Sequence, residues 1–325
     1  MSNLEKHPAE VSSDAAPVAT AVLEILEPRD VPLGGPRAMP VRRTLPQRSR
    51  SLIGAWCFVD HYGPDAVETS GGMVVPPHPH TGLQTVSWLF TGEIEHRDSV
   101  GSHAMVRPGE LNLMTAGSGI AHSEVSTAAT TTLHGAQLWL ALPDSDRHRA
   151  PFFEHFAPSP VKIADATIRV FIGSLVGSTS PVQVYSPLVG AEIVLEPGAE
   201  IELPVDGEFE HGILLDVGDV SVQSNVVARS QLAYLAPGPS SIRLTAGEAG
   251  ARVLLIGGQP FGERIVMWWN FIGRTHEEIV EYRGDWQGDV IAGVRDDGRF
   301  GVVSGYDGSA LPAPVLPNVR LRPRE

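Results

Sequence analysis

The chain has 325 residues, of which 42% are hydrophobic and 19% are charged, a composition typical of a globular protein and not of a disordered one. Lys and Arg number 24 and Asp and Glu number 38, so the formal net charge of −14 opposes bulk attraction to nucleic acid or to an anionic membrane. The single cysteine excludes an intrachain disulfide, and the sequence shows neither a secretory signal nor a long apolar segment. We therefore expect a soluble cytoplasmic protein that binds neither membrane nor nucleic acid directly.

Two stretches of β pattern follow an N-terminal segment. Residues 1–20 are rich in Ala, Ser, Pro and Glu, which predicts a flexible tail. Over residues 21–150, and again over residues 151–262, short apolar or alternating runs are separated by Gly and Pro, a pattern that predicts an all-β sandwich or barrel. Segments 110–117 and 231–238 align at an offset of 121, which indicates two related domains. The clearest strand candidates are Thr85–Phe90, Glu93–Arg97, Glu110–Thr115 and His134–Leu142.

The last region, residues 263–325, has a different pattern. Thr275 and Glu278 have the spacing of a helical capping box, which predicts a short helix over residues 276–287. The prolines of residues 311–325 oppose a helix there and indicate an extended arm. The arginines of that arm indicate a solvated or intrachain-paired surface.

Two pairs of candidate metal ligands lie in the segment Pro76–Glu124. His78 and His80 are separated by one residue, and so are His122 and Glu124. Residues i and i+2 of a strand project to the same face, so each pair can direct two ligands to one point. If the two strands are neighbours, three imidazoles and one carboxylate converge, a donor set that suits Fe(II), Mn(II), Ni(II), Cu(II) or Zn(II). The alternative is a set of separate structural or surface histidines.

Ligating imidazoles usually donate their second N–H to a partner, and several side chains could serve as such outer partners. Gln84 would lie two strand steps beyond His80 on the same face, where it could bond a ligand or a bound oxygen. A structural role is the alternative for Gln84 and for each of the other candidates. Those other candidates are Asp60, His61, His96, His103 and His134.

These motifs resemble the pirin family of the cupin superfamily. Gly72-x5-His78-x-His80 matches the first half of the cupin signature, but Gln84 stands where that signature continues with glutamate. The carboxylate appears instead in His122-Ser123-Glu124, as it does in pirins. Two further motifs carry the resemblance, Phe58-x-Asp60-His61-x-Gly63-Pro64 and Leu133-His134-Gly135-x-Gln137-Leu138-Trp139.

The resemblance implies a bicupin, that is, two stacked cupin (jelly-roll) barrels, here followed by the short C-terminal helix. It implies one iron in the first barrel, held by His78, His80, His122 and Glu124, and a second barrel without metal. Fe(II) is the expected ion, with Mn, Ni, Cu or Zn as alternatives. The second half independently lacks ligands, because the positions that align with the four ligands are Pro204, Asp206, Arg243 and Thr245. Two barrels in one chain also predict a monomer.

Three functions remain open at this point. The resemblance implies quercetin 2,3-dioxygenase activity on a flavonol or related aromatic, in which Glu124 would act catalytically by taking the hydroxyl proton. It equally implies an iron-dependent, redox-sensing regulator that binds a transcription factor or a metabolic enzyme, and the basic segment Arg42–Arg50 is a conceivable docking face for it. The third interpretation is a β-barrel protein whose metal is structural, although structural zinc sites more often contain cysteine.

Overall fold

The structure, a computed structural model, describes residues 23–33 and 39–323. The predicted flexible tail over residues 1–20 lies outside these described residues. The described chain is built mainly of β-strands, which confirms the predicted all-β class. None of the helices in the described ranges has the length and apolar character needed to traverse a lipid bilayer.

The strands are short and are separated by turns. Those of the first half of the chain are β1 (Glu24–Leu26), β2 (Arg29–Leu33), β3 (Met39–Leu45), β4 (Trp56–Ala66), β5 (Val74–His80), β6 (Leu83–Thr91), β7 (Ile94–Asp98), β8 (His103–Val106), β9 (Leu111–Thr115), β10 (Ile120–Ser126), β11 (Thr132–Ala141) and β12 (Phe152–Phe156). Those of the second half are β13 (Val161–Ile163), β14 (Ala166–Ile172), β15 (Ser174–Leu175), β16 (Ser178–Thr179), β17 (Leu188–Leu195), β18 (Glu200–Pro204), β19 (Glu210–Val222), β20 (Asn225–Val227), β21 (Leu232–Leu235), β22 (Ser241–Gly258), β23 (Val266–Trp268) and β24 (Phe271–Gly273). The helices are α1 (Val67–Ser70) and α2 (His276–Asp285), and a π-helical turn (Trp286–Ile291) follows α2.

Two antiparallel sheets form the first barrel. The larger has seven strands in the order β12-β9-β6-β11-β4-β3-β2, and the smaller has four in the order β5-β10-β7-β8. At one end of the barrel, apolar side chains from both sheets, such as Val41 and Leu89 from the larger and Val75 and Ile94 from the smaller, form one buried cluster. The polar residues described below lie deeper along the same interior.

A single nine-stranded sheet forms the second barrel. Its path is β1-β21-β19-β22-β17-β14-β13, with β18 also paired to β22 and β20 to β19. The 18-residue strand β22 pairs with three other strands, which allows the sheet to curl on itself. The interior is filled by aliphatic side chains such as Ile193, Leu215, Leu244 and Val253, which offer no metal-ligand atoms.

The two barrels exchange strands at their boundaries. The N-terminal strand β1 pairs with β21 of the second barrel, and β12, which follows residue 150, pairs with β9 of the first. The predicted domain boundaries at residues 150 and 262 stay a prediction. The pairing of β1 with β21 and of β12 with β9 crosses the first of these boundaries. A large apolar interface supports the exchange, with Trp88 of the first barrel packed 4.6 Å from Phe171 of the second, centroid to centroid.

The C-terminal helix begins as the sequence predicted. The Thr275 side chain accepts a hydrogen bond from the Glu278 amide, and the Glu278 carboxylate accepts one from the Thr275 amide, so the capping box is confirmed. Arg320 of the following arm forms an ion pair with the exposed Glu277, which confirms that this arginine is paired within the chain.

Loss of this cap should weaken the C-terminal region measurably. We expect Thr275→Ala to lower the free energy of unfolding by about 1 kcal/mol, because a helix N-terminal amide loses its acceptor. Thr275→Ser, which keeps the hydroxyl, should restore most of the difference. Chemical denaturation of the two variants beside the wild type checks this, and equal stability of all three would contradict it.

Candidate metal centre

The two predicted ligand pairs lie on neighbouring strands. β5 and β10 are antiparallel, and His78 stands directly opposite His122 in the register. Between His122 and Glu124 the register with β5 shifts by a bulge, in which two residue steps on β10 oppose three steps on β5, so the extra residue lies in β5. All four side chains are fully buried inside the first barrel.

The three imidazoles converge on one point. One ring nitrogen from each of His78, His80 and His122 lies within 4.8 Å of the others. The Nε2 atoms of His80 and His122 are 3.1 Å apart. Two nitrogens that bind one ion at about 2.1 Å and at right angles are about 3.0 Å apart, so this separation fits a shared metal ion.

Hydrogen bonds at the outer nitrogens favour the metal-binding tautomer. The Nδ1 of His78 donates to the Pro76 carbonyl at 2.8 Å, which leaves a lone pair on Nε2. That Nε2 is buried and has no hydrogen-bond partner among the described residues, as expected for a ligand atom. The outer nitrogen of His122, Nδ1, likewise lies 3.3 Å from Nδ1 of His96.

Burial also keeps the three rings neutral. Desolvation lowers the pKa of His78, of His80 and of His122 well below the ordinary value of 6.5. A neutral imidazole retains the lone pair that a metal ion requires. The residues present therefore fit a divalent ion with nitrogen ligands.

Glu124 belongs to an overlapping group. One of its carboxylate oxygens lies within 4.8 Å of ring nitrogens of His122 and His96, and Ser87 Oγ donates to Glu124 Oε1 at 3.3 Å. His122 is thus shared between a three-histidine group and a group that contains the carboxylate. The role of Glu124 as fourth ligand and as catalytic residue stays a prediction.

A row of polar side chains crosses the larger sheet of the same barrel. Cross-strand pairing aligns one residue from each of five adjacent strands, namely Asn112, Ser87, Gln137, Asp60 and Arg43. Ser87 Oγ lies 2.9 Å from Gln137 Oε1 and contacts Glu124 on the facing sheet. Sequence reasoning missed Ser87 and Gln137 as site residues, although Gln137 is part of the motif that carried the family resemblance.

Several buried donors in this region lack a hydrogen-bond partner among the described residues. Among them are the hydroxyl of Tyr62, Nε2 of Gln137 and Nε1 of Trp139. Burial raises the pKa of Tyr62 well above 10, and the nearby Glu124 charge raises it further, so this phenol stays protonated. The ring of Trp139 lies edge-on to His80, with centroids 5.2 Å apart. Buried donors of this kind are normally satisfied by water or by a ligand.

The C-terminal region covers the other end of the barrel interior. Ile265 and Ile272 join a buried cluster that contains Trp139, and the Ile272 amide donates to the Thr81 carbonyl at 3.0 Å. Burial lowers the pKa of His80, and the backbone of Asn270, in the β23–β24 hairpin, opposes part of that lowering. The metal centre is therefore closed on this side by residues that follow the second barrel.

Gln84 does not point toward the ligands, which corrects the predicted placement. β5 ends at His80, and Gly82 adopts a left-handed conformation with φ of 68°, so the chain turns into β6 of the other sheet. Gln84 lies on the opposite face of β6 from Ser87. Its Nε2 donates to Thr115 Oγ1 at 2.8 Å and to the carbonyl of residue 183 at 2.9 Å.

His61 and His134 are also placed elsewhere than predicted. Nε2 of each ring bonds to the same oxygen of Asp216, at 2.7 and 2.5 Å, and Asp216 comes from β19 of the second barrel. Nδ1 of His61 bonds to Ser230, again from the second barrel. These rings connect the two barrels, and their hydrogen bonds do not reach the predicted ligands.

The remaining candidates have partners of their own. Asp60 forms a buried bidentate ion pair with Arg43, with N–O distances of 2.6 and 2.8 Å. Its carboxylate therefore binds this arginine and not the imidazole of a predicted ligand. His103 is exposed and bonds to Glu95.

The basic segment Arg42–Arg50 does not form a free docking face. Arg42 donates to the carbonyl of residue 63, and Arg50 pairs with Glu24 and stacks over the Tyr234 ring. Arg43 is buried and pairs with Asp60, so three of the four arginines are bound by groups of the same chain. Arg48 is the one member of this segment's four arginines that is exposed.

Comparison with known proteins gives a consistent family assignment. The sequence model described as Pirin matches residues 38–140, and the one described as Pirin C-terminal cupin domain matches residues 190–291. A Pseudomonas aeruginosa protein named "Putative quercetin 2,3-dioxygenase" is 42% identical over 297 residues, 91% of each chain. A "Pirin-like protein" of Caulobacter vibrioides is 37% identical over 76% of this chain and 88% of its own.

Solved structures agree with these sequence matches. The crystal structure of a quercetin 2,3-dioxygenase from Acinetobacter baumannii superposes with a TM-score of 0.86 at 38% identity, and covers 94% of this chain and 98% of its own. A second structure under that name, also from Acinetobacter baumannii, gives a TM-score of 0.74 at 23% identity. The bicupin fold expected from the resemblance is therefore confirmed.

Proposed function

The chain belongs to the pirin family, and on that premise we propose that it is a mononuclear metal-dependent oxygenase of the quercetin 2,3-dioxygenase type. Its substrate would be a flavonol or a related oxygen-rich aromatic. The observation that carries the proposal is the convergence of three neutral, buried imidazoles on one point inside the first barrel. Relatives that bear the quercetin 2,3-dioxygenase name support the choice of reaction class.

In this proposal His78, His80 and His122 hold the ion, and Glu124 is the fourth ligand. Nitrogen and oxygen donors without sulfur suit Fe(II) as the resident ion, with Mn, Ni, Cu and Zn as alternatives that metal analysis would separate. Fe(II) bound by these residues would supply Lewis-acid polarisation and one-electron chemistry toward dioxygen. The same donor set without cysteine disfavours a purely structural zinc.

The protein's own residues would bind and deprotonate the substrate. Glu124 would accept the flavonol hydroxyl proton, and the Ser87 hydroxyl at 3.3 Å would hold its carboxylate in place. The unpaired donors of Tyr62, Gln137 and Trp139 would then bind substrate oxygens. Because all the predicted ligands are buried, a flavonol would reach them only through a local movement of the protein.

Aerobic turnover of quercetin tests this function. We expect protein reconstituted with Fe(II) to bleach the flavonol absorbance band, and His122→Ala to reduce the rate to that of the reaction without enzyme. His103→Ala, which removes an exposed histidine, is the matched control and should keep the wild-type rate. Failure of iron-loaded wild type to consume quercetin or any related flavonol would contradict the proposal.

A further inference from the structure

A chain of two further residues leads outward from His122. Nδ1 of His122 lies 3.3 Å from Nδ1 of His96, and Nε2 of His96 lies 3.3 Å from Asp98 Oδ2. His96 and Asp98 lie on β7, which pairs with β10 so that His122 stands opposite Asp98 and Glu124 opposite His96. Both residues of β7 are only 2% exposed. They therefore act in the barrel interior and not at the protein surface.

The proton positions along this chain are fixed by chemistry. If Nε2 of His122 faces the metal, its Nδ1 carries the proton and donates to Nδ1 of His96. The other nitrogen of His96 must then carry a proton, and it donates to the carboxylate of Asp98. Each link has one donor and one acceptor, so the chain is complete with both rings neutral.

Both outer residues are themselves held in place. Asp98 Oδ1 accepts hydrogen bonds from the backbone amides of Val100 at 3.1 Å and Ser102 at 2.8 Å. The ring of His96 stacks on Phe153 of the facing sheet, with centroids 4.8 Å apart. His96 is therefore a rigid acceptor for Nδ1 of His122, and this contact limits rotation of the His122 ring.

We propose that His96 and Asp98 are positioning residues of the metal centre, which fix the tautomer and orientation of His122 and strengthen it as a donor. This inference rests on the proposed function only in that His122 binds the ion. A partial negative charge relayed from Asp98 makes His122 more electron-rich, so the dyad favours the more highly charged state of the metal. It should thus raise metal affinity and lower the Fe(III)/Fe(II) midpoint potential.

The overlapping group of His96, His122 and Glu124 offers a competing interpretation, in which His96 is itself a ligand. His96 faces the end of the His122 ring opposite to the Nε2 that meets His80. An ion bound between His80 and His122 is therefore separated from His96 by the whole imidazole ring. This arrangement favours the positioning role.

The test compares metal binding by the wild type and four variants, with Co(II) as the probe. His96→Leu removes the acceptor, His96→Asn restores an acceptor near the Nδ1 position, and Asp98→Asn removes the negative charge but keeps the size. Glu95→Gln on the same strand, whose side chain pairs with Arg97 and His103 outside the barrel, is the matched control. Affinity is measured by chelator competition, and the visible absorption of bound Co(II) reports the ligand set.

We expect His96→Leu to weaken Co(II) binding by about 10–100-fold with a shifted spectrum, as loss of an outer partner does elsewhere. His96→Asn should recover most of the affinity, and Asp98→Asn should lose several-fold. Both His96→Leu and Asp98→Asn should raise the midpoint potential of the iron form. Should His96→Leu fail to fold, the His96→Asn and Asp98→Asn arms still decide the question.

Two results would overturn the inference. Wild-type affinity and potential in Asp98→Asn and in the folded His96 variants would show that the dyad does not act on the metal. A complete loss of Co(II) binding in both His96 variants would show that His96 is a ligand. Wild type that binds no metal would instead contradict the proposed function, so the two failures are distinguishable.

Discussion

Replacement of both His78 and His80 by alanine is expected to abolish stoichiometric metal binding and leave the second barrel folded. The two rings supply two of the three converging nitrogens, and His122 with Glu124 alone cannot complete a site for an octahedral or tetrahedral ion. The loss of affinity should exceed the 10–100-fold that an outer partner typically contributes. Metal content after reconstitution and desalting, measured by elemental analysis, is the direct readout.

Two further variants separate lost ligands from lost structure. The matched control is His103→Ala, which removes a surface histidine from the same barrel and should keep one metal per chain. His78→Gln with His80→Gln preserves side-chain volume, so it should also lose the metal without opening cavities in the buried interior. Full metal content in either double variant would show that the ligands lie elsewhere.

The second barrel should be unaffected by these changes because its stability has a separate source. Its interior is an aliphatic cluster to which the metal centre contributes no residue. The far-UV circular dichroism of the double alanine variant should therefore stay close to that of the wild type. A loss of most β signal would instead mean that the metal centre is required for folding of the whole chain.

The ligand strands could be predicted from sequence because their information is local. The i, i+2 spacing of His78 and His80 places both rings on one face wherever a strand forms, and the same holds for the spacing of His122 and Glu124. The strand candidates Thr85–Phe90 and Glu93–Arg97 were confirmed within a few residues by β6 and β7. Alternation and turn residues determine such elements without reference to the rest of the fold.

The outer partners could not be predicted reliably because they depend on long-range contacts. The interpretation of Gln84 assumed a continuous strand, whereas one glycine with positive φ redirects the chain into another sheet. His61 bonds to a carboxylate 155 positions away, which no local pattern reveals. His96 was among the predicted outer partners, and its ring lies 3.3 Å from that of His122. Its i, i+2 spacing to Asp98 was also present in the sequence but was not used.

Asp216→Ala is expected to destabilise the protein by about 3 kcal/mol, because it removes a buried carboxylate that three donors from around the barrel interface share. His61 and His134 of the first barrel both bond to one oxygen, and Arg252 donates to the other at 2.5 Å. Without the carboxylate these buried or half-buried groups lose the acceptor that they share. Asp219→Asn, an exposed change on the same strand, is the control and should lie within about 0.5 kcal/mol of wild type.

The pH dependence of this difference identifies its electrostatic origin. Burial alone would raise the pKa of Asp216, but the hydrogen bonds from His134 and His61 outweigh burial and hold the pKa below the ordinary value of 3.8. A carboxylate with a depressed pKa stabilises the folded state above the unfolded-state pKa, and this contribution is lost as the pH falls through the folded-state value. The stability difference between wild type and Asp216→Ala should therefore shrink as the pH falls below the about 3.9 reference pKa of aspartate. A difference that does not change on acidification would show that Asp216 contributes by packing and not by its charge.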